Sequence, residues 1–514
     1  MNKPLAWSLG LVGCFTAIGI AACVGDDPTT GGDDTTNDGG AGNDATQTTG
    51  DGSTVPDSGC GDLTSSNENC GACGNVCDAG GCFESVCGGQ RVVSVATGYN
   101  TSCALFASGH VSCWGRGNQG ELGVDPTTLG KCPEGIYCRS AAAEVPGITN
   151  ATQISVGKRT VCALLKGGDV SCWGSNQAGV LAHAPGTAGD SVCDGQACNW
   201  VPSKVAGITS PVLEVRVGQN NACARTADDH IWCWGDDGWF NDGQGNTTEH
   251  DLSVATIVPN TPSAITSLSV APNAPHVCVM SNSGVTCWGG NLNGELGHAP
   301  DAGTPQDIAA PEAPSYEANS TPQTFATPGL LPNLVSASQG STCFIDTNHT
   351  MHCLGQNYNG ELGNGTTPDG NSHPAYDTIS VTGNVTAIAA GTPMCALTAS
   401  GAAWCWGSAA IGQIGNGAWS GVDAGAFPGL LTQNCSAPPC YATPVEVPAM
   451  SFTSLAASSD HVIGVATDGH VYGWGKNEEA ETGHDPNTLG DQTCSRPGLT
   501  CACAPSPVRI TSLP

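Results

Sequence analysis

Thiols are the residues of this chain best able to do chemistry, and their spacing is the first thing to explain. Six pairs stand nine or ten positions apart: Cys103 with Cys113, Cys162 with Cys172, Cys223 with Cys233, Cys278 with Cys287, Cys343 with Cys353, and Cys395 with Cys405. In the first pair the intervening residues run through a tight turn at Ser108-Gly109. If strands flank that turn, the two cysteines lie opposite each other on one face, within disulfide reach. A reactive thiol needs one particular surrounding, so a spacing repeated this often predicts structural cross-links.

A second group, Cys60, Cys70, Cys73, Cys77, Cys82 and Cys87, has spacing close enough for a zinc knuckle. The set is even and closes as a disulfide knot without an ion, and a stretch from 60 to 89 has too little core to fold without cross-links. The disulfide knot is the expectation, with no metal and no other cofactor.

Other side chains point to structure before catalysis. His183, His298 and His484 recur in LAHAP, LGHAP and TGHDP, which predicts turn or capping roles. Asp460-His461 stands beside Ser458 and Ser459 but lacks a placed nucleophile. Glu121, Glu295 and Glu361 occupy repeated Gly-Glu-Leu-Gly tails, and repetition argues for structural duty over an acid–base pair. The tails are not phosphate loops, since no GK[ST] follows. No catalytic residue is assigned.

The elements that must position these groups are short strands. Gly 72 and Pro 33 with only 11% charged residues favour many turns. A Trp-Gly landmark recurs at Trp114, Trp173, Trp234, Trp288, Trp406 and Trp474, with Leu354 in the same place, giving seven units spaced 52 to 68 residues apart. Each unit reads as a strand, a hairpin braced by its cysteines, and a glycine-rich tail. Self-similar units of this length build a solenoid or a propeller. With aromatics at 5% of the chain, the recurring Trp is expected to wedge between neighbours. Gly464 and Gly473 are expected to replace the cysteines in the last unit. A strand starter, Pro507-Val508-Arg509-Ile510, is expected to join the first unit and close a ring.

The units resemble the regulator of chromosome condensation repeat at Gly98, Ser102, Ala104-Leu105, Gly109, Trp114-Gly115 and Gly120 to Gly123. The resemblance covers roughly residues 91 to 514 and implies an all-β fold, a seven-bladed β-propeller, at 90–514. It implies function less directly. The family's founder promotes nucleotide exchange on a small GTPase, whereas other members only bind.

The N-terminus sets a further expectation. Lys3 precedes an apolar run from Leu5 to Ile20, and Ile20-Ala21-Ala22-Cys23 resembles a bacterial lipoprotein signal. That resemblance implies a signal peptide at 1–22, lipid attachment at Cys23, and export to the outer membrane or cell surface. Export agrees with 29 cysteines. Residues 23–59 read as a disordered acidic tether. The segment NCGACGNVC, within 60–89, is similar to cysteine-rich modules of myxobacterial surface proteins. A formal charge of −31 argues against nucleic acid and against membrane contact except through the lipid. No small GTPase is expected in that compartment.

Function is expected in the insertions after each tail, loops carried on a rigid scaffold. Four carry their own cysteines: Cys132 with Cys138, Cys193 with Cys198, Cys435 with Cys440, and Cys494 with Cys501 or Cys503. Short rings hold a loop ready for contact. Tyr137, Trp200, Trp239, Phe240 and Tyr441 are the candidate anchors for another protein. The alternatives are an exported hydrolase or lyase using the central funnel, and a structural envelope protein.

Overall fold

Each repeat folds as a hairpin whose register is fixed by small and apolar residues facing each other across the turn. In the computed structural model the described residues are 82–83, 86–87 and 90–513, less 246–250, 273, 301–306, 311–312, 326, 328–329, 422–425, 432–434, 437–438, 449, 489–490 and 497–498. The expected signal peptide, Cys23, the tether and Cys60 to Cys77 lie outside the described residues. Of the 60–89 stretch, Cys82–Phe83 and Val86–Cys87 form a short antiparallel pair.

The first sheet holds Val92–Thr97, Thr101–Phe106, Val111–Arg116 and Tyr137–Glu144 in that order, with Gly130–Lys131 added outside the fourth strand. Six further sheets repeat the plan, starting with Ala151–Val156, Val212–Val217, Ile265–Val270, Pro332–Ala337, Val385–Ala389 and Phe452–Ala457. They are called blades 1 to 7 in chain order. The first strands of successive blades touch all the way round, and the seventh returns to the first. They therefore ring the axis. In blades 1 and 2 a glycine follows the first strand where backbones approach: a Cβ on Gly98 would lie 1.8 Å from the Gly157 carbonyl oxygen, and one on Gly157 2.1 Å from that of Gly218.

Within blades 1 to 6 the paired cysteines are directly opposed and bonded, with Cα atoms 4.1 Å apart in every case. Blade 7 departs from the expected Gly464–Gly473 pair. Ile463 opposes Gly473, and a Cβ on that glycine would meet Ile463 Cδ1 at 3.0 Å. The isoleucine thus fills the space the disulfide holds elsewhere.

The blade-to-blade lock comes from the landmark residue. Each Trp is wholly buried and donates its indole N–H to a backbone carbonyl in the preceding blade's tail. Trp173 bonds Glu121, Trp234 Val180, Trp288 Asn241, Trp406 Glu361 and Trp474 Gln413, at 2.7 to 2.9 Å. Trp114 closes the circle on Glu481, 3.0 Å away. In blade 5, where Leu354 replaces Trp, its cross-strand partner Thr342 donates to the Glu295 carbonyl at 2.8 Å. All seven junctions keep the same acceptor position.

Ring closure differs from the expectation. Pro507-Val508-Arg509 belongs to the strand Leu499–Arg509, the fourth of blade 7, and pairs with Val471–Lys476. It does not enter blade 1. Closure is by packing: Ile510 and Leu513 join Val92, Val95, Ala104, Trp114, Ile463, Val465 and Val471 in one apolar cluster. Ala142 N–H adds a bond to Ser512 Oγ at 2.9 Å. A strand lying between two repeats can pair with either, and the continuous chain within blade 7 gives the shorter connection.

Candidate functional site

The insertions after the tails return as the fourth strands, and in blades 1, 2, 4, 6 and 7 they add a fifth strand at the outer edge. Bridges Cys132–Cys138, Cys193–Cys198, Cys435–Cys440 and Cys494–Cys503 tie four of these hairpins. The second cysteine of each sits at one equivalent place, opposite the residue that follows the landmark pair: Cys138 faces Arg116, Cys198 Ser175, Cys440 Ser408 and Cys503 Lys476. Cys501 is buried and unbridged.

The hairpins of blades 7, 1 and 2 border three clefts. One of about 240 Å³ is lined by Pro133, Glu478, Asn487, Thr500 and Cys501. The next, about 470 Å³, shares Pro133, Pro486 and Asn487 with it and adds Lys131, Arg139 and Asp485. The third, about 300 Å³, shares Lys131 and adds Tyr137, Val192, Asp194 and Trp200. Shared walls make one groove.

Local bonding holds those walls. His484 Nε2 lies 3.0 Å from Asp491 Oδ1, and the other carboxylate oxygen accepts from Asn477 Nδ2 and the Asn487 N–H at 2.8 and 2.9 Å. The loop carrying Asp485 to Asn487 is clasped at both ends. Blade 2 repeats the clasp with His183, Asp190, Asn176 and Gly186. Lys131 Nζ sits 3.5 Å above the Tyr137 ring centroid and donates to the Gly135 carbonyl at 2.6 Å. Gly120 permits the approach of blade 2, since a Cβ there would fall 2.8 Å from Trp200 Cβ. Val192 beside it is 78% exposed, an apolar side chain open to a partner.

Of the five aromatic candidates, the structure brings together Tyr137 and Trp200. Phe240 and Tyr441 are corrected: both are buried. Phe240 occupies the tail position held by Gly120 in blade 1, with φ 58°, and packs on Ala318 and Trp239. Tyr441 lies in the core shared by blades 5 to 7, and its hydroxyl accepts from Asn416 Nδ2 at 2.9 Å. Trp239 is half-buried in the Phe240 cluster and lies outside the groove. Sequence reasoning missed Val192 and Lys131, which no repeat pattern marks.

The tail carboxylates do not converge. Glu121 Oε2 accepts the Gln119 N–H at 2.7 Å, Glu295 that of Asn293 at 2.6 Å, and Glu361 that of Asn359 at 2.7 Å. Each therefore braces its own turn. Burial pushes Glu121 and Glu295 up to about 7 and raises Glu361. His461 is sealed between Ser458 Oγ on Nδ1 and Ser102 Oγ on Nε2, each at 2.8 Å. With a hydroxyl on both ring nitrogens, and full burial, it has neither an orienting carboxylate nor access for substrate. Burial pushes it down to about 4. Among the described residues no cluster of three or more His, Cys, Asp or Glu is arranged to hold a metal.

This architecture is a seven-bladed β-propeller of the regulator of chromosome condensation type. The model of the regulator of chromosome condensation (RCC1) repeat matches residues 92–121, 151–180 and 452–480, in blades 1, 2 and 7. Human E3 ubiquitin-protein ligase HERC2 is 26% identical over 219 residues, 41% of this chain and 4% of HERC2. The guanine nucleotide exchange factor SRM1 of Saccharomyces cerevisiae is 30% identical over 159 residues, 30% of each protein. Prp20p of Saccharomyces cerevisiae, a protein described with its binding to Gsp1p and histones, superposes with TM-score 0.59 at 18% identity. That superposition covers 82% of this chain and 88% of Prp20p. The chain thus spans a small part of the curated relatives' length.

Two expectations are corrected by these matches. Exclusion of a small GTPase does not stand beside similarity to an exchange factor and to a Gsp1p-binding propeller. It rested on the expected export compartment, and that placement does not stand either. Placement as an exported, lipid-anchored protein of the outer membrane or cell surface is also overturned, the relatives being named as an exchange factor and a histone binder. That placement rested on the resemblance of Ile20 to Cys23 to a lipoprotein signal, residues that lie outside the described ones, with the cysteine count only in agreement. Among the described residues no helix is long and apolar enough to cross a membrane.

Proposed function

We propose that this propeller is a protein-binding module whose contact surface is the groove across blades 7, 1 and 2. The observation that carries the reading is continuity: three clefts with shared walls, an open Val192, and Trp200 held against the blade 1 tail. Bridges and His–Asp clasps fix the loops in advance, which lowers the ordering cost of contact. The division at residue 90, with a separate cysteine-rich stretch before it, is part of this proposal.

A second reading, nucleotide exchange on a small GTPase, is favoured by the SRM1 match. Both readings are tested with a GDP-loaded Ran-type GTPase and with core histones as probes, by calorimetry and by release of labelled GDP. At least one probe is expected to bind, and Trp200→Ala with Val192→Asp to weaken it more than tenfold at an unchanged denaturation midpoint. Equal binding by the variant would remove the groove from the account. GDP release at the spontaneous rate would remove exchange alone.

A further inference from the structure

We infer that Cys494, Cys501 and Cys503 form a thiol–disulfide exchange centre, in which the Cys501 thiol displaces Cys503 from Cys494 and shifts the hairpin's cross-link by two residues. Two bridge geometries occur in this molecule. In the six blade hairpins the bonded cysteines are directly opposed in register, as Cys103 opposes Cys113. In the blade 2 rim hairpin Cys193 opposes Gln196 and bonds Cys198, two residues further along.

Blade 7 offers both geometries to one sulfur. Cys494 opposes Cys501 and bonds Cys503, two residues further along. Cys503 is thus the counterpart of Cys198, and Cys501 stands where blade 2 has Gln196. Along the strand Leu499–Arg509, Cys501 and Cys503 point to the same face. Cys494 therefore has a partner for the offset bridge and another for the direct one.

The step balances without an oxidant. Cys501 gives its proton to water and its sulfur attacks Cys494 Sγ; the Cys494–Cys503 bond breaks and Cys503 leaves as a thiolate that takes up a proton. One thiol and one disulfide stand on each side. Cys501 lines the cleft with Glu478 and Asn487, while Cys503 is fully buried, so exchange changes the groove wall. The charged groups around Cys501 are Lys476, Glu478, Glu481 and Asp460. Burial pushes its thiol up to about 12, which keeps the thiolate scarce near neutrality.

The test is disulfide mapping by mass spectrometry on the full chain, alkylated after acid quench. Wild-type protein is expected to yield the Cys494–Cys501 peptide and alkylated Cys503 beside the original form, at least about tenfold faster at about pH 9 than at about pH 7. Cys503→Ser is expected to form the Cys494–Cys501 bridge, and Cys501→Ser to keep Cys494–Cys503 at both pH values. Wild-type protein whose Cys503 is never alkylated after long incubation at the higher pH overturns the proposal. So does folded Cys503→Ser protein in which Cys494 and Cys501 both remain alkylatable. The wild-type measurement needs no substitution and decides the matter even where a serine variant misfolds.

Discussion

Tail and rim loop are consecutive in every repeat, yet one keeps the same bond to its neighbour throughout the molecule and the other varies. The tail offers its second carbonyl to the next blade seven times over, whether that residue is Glu121, Val180, Asn241 or Gln413. Rim loops differ in length, bridge and even strand number. A close-packed junction admits few solutions, because backbone and indole meet with no room to adjust. The outer edge touches solvent, so its sequence is free to serve a partner.

The largest effect is expected where the junction is emptied. Trp173→Ala removes a fully buried indole and leaves the Glu121 carbonyl unpaired, a loss of about 3–5 kcal/mol by denaturant titration. Blade 5 supplies a natural repair, with Leu354 for Trp and Thr342 as donor opposite it. Val161 is the residue opposite Trp173. Trp173→Leu combined with Val161→Thr is expected to recover at least about 1 kcal/mol over Trp173→Leu alone, the worth of one hydrogen bond. If the added threonine gives no recovery, the carbonyl is not what the junction requires.

The same contrast explains what could be read beforehand. Hairpins, their bracing cysteines and the count of blades follow from period-two alternation around a turn, a property local to each repeat. The acceptor of each Trp lies 45 to 61 residues earlier for blades 2 to 4, 6 and 7, and 367 residues away for Trp114, which no local pattern shows. The strand at Pro507 was open to either neighbour, and the Ile463 register was missed by one position. Phe240 and Tyr441 look like rim aromatics by their place in the chain, but the first stands in a tail and the second under one: a Cβ on Gly360 would meet the Tyr441 carbonyl oxygen at 2.6 Å.

Two junctions add a histidine. His276 reaches Thr342 at 3.1 Å and His461 reaches Ser102 at 2.8 Å, each hydroxyl bonding the preceding tail carbonyl in turn. Burial pushes both imidazoles from 6.5 down to about 4. An unfolded chain binds the proton below 6.5 while the folded one does not, so the stability these two residues contribute falls as pH drops from 6.5 towards 4. At full burial the shift corresponds to about 3 kcal/mol per residue. His461→Asn copies Asn221, which holds this position in blade 3. Compared with wild type, the variant is expected to gain in urea midpoint as pH drops from 6.5 towards 4, and a difference that does not change with pH would mean His461 charges in the folded state.

Glu121 and Glu295 pull the other way, and this is the smaller effect in wild type because it is hidden. Their folded values near 7 exceed the ordinary 4.5, so the stability they contribute is full below 4.5 and lost as pH rises through 7. Between 4.5 and 6.5 the two histidines are therefore opposed by Glu121 and Glu295, with Glu361 raised in the same direction, so the histidine slope is hidden. Glutamine keeps the turn-bracing acceptor, as Gln413 does in blade 6 by taking the Ile411 N–H at 2.9 Å. Glu121→Gln with Glu295→Gln is expected to stabilise the protein by about 2 kcal/mol above pH 7, discounted for relaxation around the buried charge. It should also tilt the profile towards a rise with pH, since two of the glutamates that oppose the histidines are gone. A pH profile that both substitutions leave unchanged would show that these carboxyls stay ionised in the junction, and that the tail's acceptor role depends on charge.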